Sequence, residues 1–197
     1  MVNADGTTSF DSTGLASSLS TLPLEDLSEA EKASLAYMRE EEKLARDVYS
    51  RLDSFWGSQV RAFGNIAKSE ATHTEAVRQL LIRYSQPDPA AILTEGMFAN
   101  ATLQQLYYDL VAQGTPSLIA ALKVGALIEE LDIVDIRSAL ESIDNLDIRL
   151  VYENLMKGSR NHLRSFVKTL VQQGETYRPI YLSQEDYDAI VAAPTER

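Results

Sequence analysis

The sequence predicts an all-α protein built from two helical hairpins that are joined by a long crossover. Apolar residues recur at helical spacing in four long segments, and short links group these segments in two pairs. The only short stretch that could compete as a β-strand is "YRPIYL" at residues 177–182. Because the link within each pair is short, each pair is expected to fold as an antiparallel hairpin.

The first hairpin begins at a clear helix start signal. Ser28 is followed three residues later by Glu31, which is the pattern of a capping box, so the first long helix should run from about residue 29 to 54. The segment "FWGSQ" interrupts the pattern, and the second long helix should follow from about residue 59 to 84. The two prolines of "SQPDP" then prevent the helix from continuing.

The second hairpin follows a long connection over residues 85–115, which contains the short helix "TLQQLYYDLVAQ". Thr115 and Pro116 have the character of an N-cap and a first helical residue, so the third long helix should start there and run to about residue 142. The fourth long helix should span about residues 146 to 173. A last short helix is predicted to start at Ser183.

The chain of 197 residues fits one folded domain with a tail. The first 22 residues are rich in Ser, Thr and Gly and are predicted to be a disordered N-terminal tail, while residues 23–197 form the helical domain. This tail lacks the charged start and the apolar core of a signal peptide. We therefore expect a soluble protein that is either cytoplasmic or exported, with its compartment left open.

Composition narrows the classes of partner. The net charge of −11 argues against nucleic acid, which requires a basic face, and favours cations. No run approaches the roughly 18 apolar residues that a membrane span needs, so no membrane partner is expected. The chain contains no cysteine, so any metal site must use oxygen and nitrogen ligands.

Five ionisable side chains are predicted to point into the core of the long helices. Residues seven apart lie on nearly the same helical stripe, because two turns take about 7.2 residues. Each of the five is flanked at one or both of these positions by a large apolar or aromatic residue. They are Glu42 on the first long helix, Glu70 and His73 on the second, Glu129 on the third and His162 on the fourth.

The same test separates these residues from their acidic neighbours. In "REEEK" it selects Glu42 as the inward glutamate, and so places Glu40 and Glu41 on other stripes. In "IEELD" it assigns Glu129 to the core and Glu130 to the solvent. The helical positions therefore predict one inward-facing glutamate in each of these acidic runs.

The two hairpins repeat one arrangement of a carboxylate followed by a histidine. Glu42 and His73 are 31 residues apart, and Glu129 and His162 are 33 residues apart. Buried unpaired carboxylates cost several kcal/mol each, and a bound dication would offset that cost. The alternative without a metal is that both histidines are hydrogen-bonded core residues and that the glutamates form salt bridges to basic neighbours such as Lys68.

The predicted ligands lie in four segments of the chain, "MREEEKLARDVY", "SEATHTEAV", "KVGALIEELDI" and "ENLMKGSRNHLRSF". These segments resemble the ferritin-like di-iron carboxylate superfamily, and in particular the DUF2202 domain family of bacterial and archaeal ferritin-like proteins, and the resemblance covers roughly residues 29–190. It implies a ferritin-like four-helix bundle with the crossover between its second and third helices. It also implies two bound iron ions, with manganese or zinc as alternatives, held by the five ionisable residues.

One position departs from the superfamily pattern. Ser159 stands where a second Glu-x-x-His motif would have its glutamate, three residues before His162. Asp132 lies one turn after Glu129 and could supply the missing carboxylate as a sixth metal ligand. The alternatives are a weaker second metal position with an open place beside Ser159, or a single metal.

The resemblance implies chemistry with dioxygen or peroxide, as in a ferroxidase or a peroxidase. The chain has no cysteine-rich electron-transfer module, so an enzyme of this kind would need an external electron donor. A different class of function is a non-catalytic metal-binding or structural bundle. The sequence identifies no catalytic residue.

Overall fold

The computed structural model describes residues 12–196, and this part of the chain contains seven helices and no strand. The prediction of an all-α protein is therefore confirmed, and residues 177–182 form no strand. None of the described helices is both long enough and apolar enough to cross a lipid bilayer. The helices are α1 (Ser12–Ser20), α2 (Glu29–Trp56), α3 (Ala62–Arg83), α4 (Ala101–Gly114), α5 (Leu118–Leu140), α6 (Leu146–Gln172) and α7 (Gln184–Ala192).

The four long helices form two antiparallel pairs, α2 with α3 and α5 with α6. In the first pair, Arg39 of α2 donates to the carbonyl oxygen of Thr74 of α3 at 3.3 Å. In the second pair, Ser159 of α6 donates to Asp132 of α5 at 2.8 Å. The pairs then pack on each other, because α2 also contacts α5 and α3 contacts α6.

The apolar core consists of two clusters, with a layer of polar side chains between them. One cluster contains Phe63 of α3 and Phe166 of α6, towards one end of the long helices. The other contains Leu80 of α3 and Tyr152 of α6, towards the opposite end. The intervening turns of these helices carry the predicted metal ligands, so the candidate site lies inside the protein between two apolar layers.

The helix-start signals predicted at Ser28 and Ser183 are confirmed, and the one predicted at Thr115 and Pro116 is wrong. The side chain of Ser28 accepts from the backbone N–H of Glu31 at 3.2 Å, and the glutamate accepts from the backbone N–H of Ser28, which completes the capping box. Ser183 caps α7. Helix α5, however, begins at Leu118 with Ser117 as its N-cap, because Thr115 bonds back to α4 and ends that helix.

The N-terminal segment differs from the prediction of a disordered tail over residues 1–22. Ser12–Ser20 forms α1, and the side chains of Leu15 and Leu19 are buried in the cluster that contains Leu80. These two leucines are four residues apart, which places them on one face of a helix. Residues 1–11 lie outside the described part of the chain.

Charged residues of α2 hold the crossover between α3 and α5 in place. The guanidinium group of Arg39 forms two hydrogen bonds to the carboxylate of Asp88, at 3.0 and 3.1 Å. The carboxylate of Glu40 accepts from the backbone N–H groups of Ala99 and Asn100, just before α4. Glu40 is therefore buried, which its place on the α2 helix alone did not predict.

A buried lysine completes this attachment. The ammonium group of Lys43 is 1% exposed and donates to Asp47 and to the carbonyl oxygens of Thr94 and Met97. Asp47 in turn accepts from the backbone N–H of Gly96 at 2.9 Å. These hydrogen bonds pair buried charged side chains with backbone groups that would otherwise have no partner. They attach this part of the crossover to α2.

Candidate metal centre

Five of the six predicted ligands converge in the polar layer between the two apolar clusters. They form two groups of three, and within each group one ligand atom per residue lies within 4.8 Å of the others. The first group contains Glu42, Glu70 and His73, and the second contains Glu70, Glu129 and His162. All five side chains are at most 1% exposed.

Glu70 belongs to both groups. Its Oε2 lies 2.7 Å from Nδ1 of His73, and its Oε1 lies 2.7 Å from Nδ1 of His162. The two imidazole rings lie nearly parallel, with ring centroids 5.5 Å apart and an interplanar angle of 24°. One carboxylate therefore connects two histidines that come from different hairpins.

A second carboxylate faces each histidine from the neighbouring helix. Oε2 of Glu42 lies 3.3 Å from Nδ1 of His73, and Oε2 of Glu129 lies 3.5 Å from Nδ1 of His162. Each half of the centre is thus made of one outer glutamate, one histidine and the shared Glu70. The matching carboxylate-to-histidine spacings in the two hairpins produce this repeated geometry.

The convergent atoms include several that lack a hydrogen-bond partner. Both oxygens of Glu42, both oxygens of Glu70, Oε2 of Glu129 and Nδ1 of His162 are buried without an aligned partner. Buried polar atoms are normally hydrogen-bonded, because desolvation otherwise costs free energy. Carboxylate oxygens and imidazole nitrogens that point at common positions suit iron, manganese or zinc, so the residues present fit a metal.

Burial and mutual charge shift the pKa values within the centre. Burial raises the pKa of Glu42 and of Glu129 to about 7, although the adjacent histidine opposes this rise in each case. Burial also acts to raise the pKa of Glu70, but its two histidines outweigh that effect and lower it. Burial lowers the pKa of His162, but Glu70 and Glu129 outweigh it and raise the value to about 9.

Two hydroxyl groups support the second half of the centre. The hydroxyl of Tyr49 on α2 donates to Oε1 of Glu129 at 2.6 Å. The hydroxyl of Ser69 lies 3.0 Å from Nε2 of His162. The sequence reasoning missed both residues, although Tyr49 lies seven residues after Glu42 on the same stripe of α2.

Asp132, the sixth predicted ligand, belongs to neither group. It is 1% exposed, and its Oδ2 accepts from the hydroxyl of Ser159 at 2.8 Å, while its Oδ1 has no hydrogen-bond partner. Burial and the charges of Glu42 and Glu70 raise the pKa of Asp132 well above its ordinary value. Asp132 therefore lies beside the centre, against the serine that stands in place of a glutamate.

The prediction that Glu130 faces the solvent is wrong. Its side chain is 0% exposed and accepts from the hydroxyl of Tyr177 and from the backbone N–H groups of Ile180, Tyr181 and Leu182. The segment before α7 covers the side of α5 that carries Glu130. A comparison of positions within α5 cannot detect this contact, because the covering segment is distant in sequence. Glu130 thus fixes the C-terminal segment and lies outside both ligand groups.

The chain is similar to an archaeal protein over most of its length. It is 51% identical over 179 residues to "Uncharacterized protein MJ0754" from Methanocaldococcus jannaschii, which covers 91% of this chain and 96% of that protein. It also resembles the crystal structure of hypothetical protein MJ0754 from Methanococcus jannaschii DSM 2661, with a TM-score of 0.86 and 50% identity over 89% of this chain and 99% of that one. The sequence pattern of a family described as an uncharacterized protein domain, DUF2202, matches residues 31–194. The chain therefore belongs to the DUF2202 family.

Proposed function

We propose that this protein is a metalloprotein with a ferritin-like four-helix bundle and that its centre binds two ions, iron or manganese, with zinc as an alternative. The observation that carries the proposal is the position of Glu70, whose two oxygens each approach a different histidine at 2.7 Å. A carboxylate with both oxygens directed to separate ligand groups is suited to bridge two cations. A single ion would leave one of the two groups unused.

Each ion would be held by one histidine, one outer glutamate and the shared Glu70. Glu42 and His73 would bind the first ion, and Glu129 and His162 the second. Two dications would offset the three buried glutamates, whose mutual repulsion otherwise opposes ionisation. Asp132 stands next to the centre as a further carboxylate that Ser159 orients.

We infer an oxidoreductase function of the ferroxidase or peroxidase type. A bound pair of iron ions would supply the electrons that reduce dioxygen or peroxide. The side chains of the centre are at most 1% exposed, so they exclude bulk water and favour small substrates. The chain contains no cysteine that could form an electron-transfer module, so repeated turnover would draw on an external electron donor.

The alternative is a non-catalytic metal-binding or structural bundle. The burial of all five ligands favours this function as well, because a closed site restricts the access of larger substrates. In that case the ions stabilise the packing of the two hairpins and catalyse no reaction.

Metal analysis tests the binding step. Protein purified from iron- and manganese-supplemented cells, and protein reconstituted without oxygen, should contain two equivalents of transition metal per chain. Glu70→Gln should lower this content sharply. Glu75→Gln is the matched control, because Glu75 lies on the same helix in a partly exposed ion pair with Arg78. The absence of stoichiometric transition metal under both conditions would refute the proposal.

Rapid mixing separates catalysis from simple binding. The iron(II)-loaded protein should react with dioxygen or peroxide faster than free iron(II) and should do so again after each addition of a reductant. A protein that holds two ions but shows no such reaction would support the non-catalytic alternative.

A further inference from the structure

Two adjacent residues of α3 contact the two ring nitrogens of His162. Nδ1 of the imidazole lies 2.7 Å from Oε1 of Glu70, and Nε2 lies 3.0 Å from the hydroxyl oxygen of Ser69. His162 belongs to α6, so these contacts join the two hairpins at the centre. A single turn of α3 therefore fixes the direction in which each nitrogen of this ring points.

The surroundings of the two nitrogens differ in charge. Nδ1 lies 2.7 Å from an oxygen of Glu70 and 3.5 Å from an oxygen of Glu129, and these three residues form the second ligand group of the centre. Nε2 instead faces a neutral hydroxyl group, and Ser69 is only 2% exposed. Nδ1 is therefore the nitrogen directed at the position that a cation would occupy.

The position of the ring proton decides which nitrogen of a histidine can bind a metal. A neutral imidazole carries one proton, and only the nitrogen without it offers a lone pair. A histidine that binds a metal commonly donates its other N–H group to a neighbouring oxygen, which fixes the tautomer and the orientation of the ring. The hydroxyl oxygen of Ser69 can accept such a hydrogen bond and lies at the required distance from Nε2.

A serine inside a helix also has a purely structural role open to it, because its hydroxyl can donate to a backbone carbonyl of the preceding turn. Thr169 of α6 does this, with a bond of 2.8 Å to the carbonyl oxygen of Ser165. A bond of that kind uses the hydroxyl proton and leaves the oxygen lone pairs able to accept from an N–H group. The structural role is therefore compatible with a hydrogen bond from Nε2–H of His162 to Ser69.

We propose that Ser69 is a positioning residue that accepts a hydrogen bond from Nε2–H of His162 and so makes Nδ1 the metal-binding nitrogen. This inference rests on the proposed metal centre and assigns a role to a residue outside its ligand groups. Ser69 supports the histidine of the second half, as Tyr49 supports the glutamate of that half. Loss of the hydroxyl frees the ring to rotate or to change tautomer, which lowers the affinity for one ion only.

Nitrogen-15 NMR of the zinc-loaded full chain tests the assignment, because zinc is diamagnetic and binds imidazole nitrogen. The chain contains two histidines, so protein labelled at the histidine rings gives two sets of ring signals. His73→Ala removes one set and assigns the other to His162. We expect zinc at Nδ1 of His162 and a proton at Nε2 that exchanges slowly with water.

Two substitutions on α3 separate this role from packing. Ser69→Ala removes the hydroxyl and keeps a residue that helices accept well, so the affinity for one of the two zinc ions should fall about 10- to 100-fold. The Nε2 proton of His162 should then exchange faster with water. Thr72→Val is the matched control, because the hydroxyl of Thr72 donates to the backbone carbonyl of Ser69 at 2.7 Å. It should leave both zinc affinities and the proton exchange unchanged.

Two results would overturn the inference. One is zinc bound at Nε2 of His162 with the proton at Nδ1. The other is a zinc affinity or a proton exchange rate in Ser69→Ala that equals that of the parent. Failure of the proposed metal centre gives a different result, because the parent itself would then bind no metal, and this inference would fail with it.

Discussion

Tyr49 donates a 2.6 Å hydrogen bond to Oε1 of Glu129, and both side chains are 0% exposed. Glu42, which occupies the equivalent place in the other half of the centre, has no hydrogen-bond partner for either oxygen. Glu129 is therefore held by a hydrogen bond from a residue outside its ligand group, and Glu42 has no equivalent bond from a tyrosine. The two halves share the same ligand types but differ in this support.

This difference predicts the effect of Tyr49→Phe. Loss of the hydroxyl frees Glu129 to rotate, so the affinity for one ion should fall about 10- to 100-fold while the other ion binds as before. A metal titration monitored by calorimetry would measure both steps. Tyr152→Phe is the control, because the hydroxyl of Tyr152 is paired with Ser34 rather than with a ligand. Equal effects of the two substitutions would contradict the prediction.

The shared position of Glu70 predicts the stoichiometry of two further variants. Glu70→Gln removes a charged ligand from both groups, so both ions should be lost on dialysis. Glu42→Gln removes a ligand from one group, so one ion should remain. Elemental analysis of the dialysed proteins would show the difference. Retention of the same number of ions by the two variants would indicate that Glu70 does not bridge.

Substitution of the two adjacent glutamates on α5 should change different properties of the protein, stability in one case and metal content in the other. Glu130→Ala leaves the four donors of the C-terminal segment without their acceptor, so it should lower the free energy of unfolding by about 3 kcal/mol. Urea unfolding and limited proteolysis near residue 180 would detect this loss. Glu129→Ala should instead reduce the metal content. A Glu130→Ala protein of normal stability that loses metal would contradict this assignment.

Two lysines on α2 provide a test of the crossover attachment. Lys43→Met removes a fully buried ammonium group from Asp47 and from two carbonyl oxygens, so it should cost about 3 to 5 kcal/mol of stability. Lys32→Met breaks an exposed pair with Glu29 and should cost no more than about 1 kcal/mol. Chemical denaturation of both variants would measure the two values. Similar losses of stability in the two variants would show that the buried lysine stabilises the protein no more than the exposed one.

The sequence predicted the long helices and the five convergent ligands because both depend on the period of a helix. Neighbours at seven residues report which face of a helix is apolar, and this placed Glu42, Glu70 and Glu129 in the interior. The capping box at Ser28 is equally local, since all of its hydrogen bonds lie within four residues.

The same reasoning failed where another segment covers a helix. Glu40 is buried by the crossover, Glu41 by α5 and Glu130 by the segment before α7. The burial of each glutamate depends on contacts with residues that are distant in sequence. The apolar pattern of a single helix therefore cannot predict it. The start of α5 failed for a local reason, because Thr115 and Ser117 are both suitable N-caps and only the folded connection selects Ser117.

The run "REEEKLARD" on α2 has a consequence for how substitutions in this protein should be classified. Six of its seven charged side chains are buried, and only Arg46 reaches the surface in part. A substitution matrix treats exchanges such as Glu to Asp or Lys to Arg as mild, and a hydropathy profile marks such a run as tolerant. A saturation mutagenesis screen should instead find these positions as intolerant as the leucines of the core, even to changes that keep the charge.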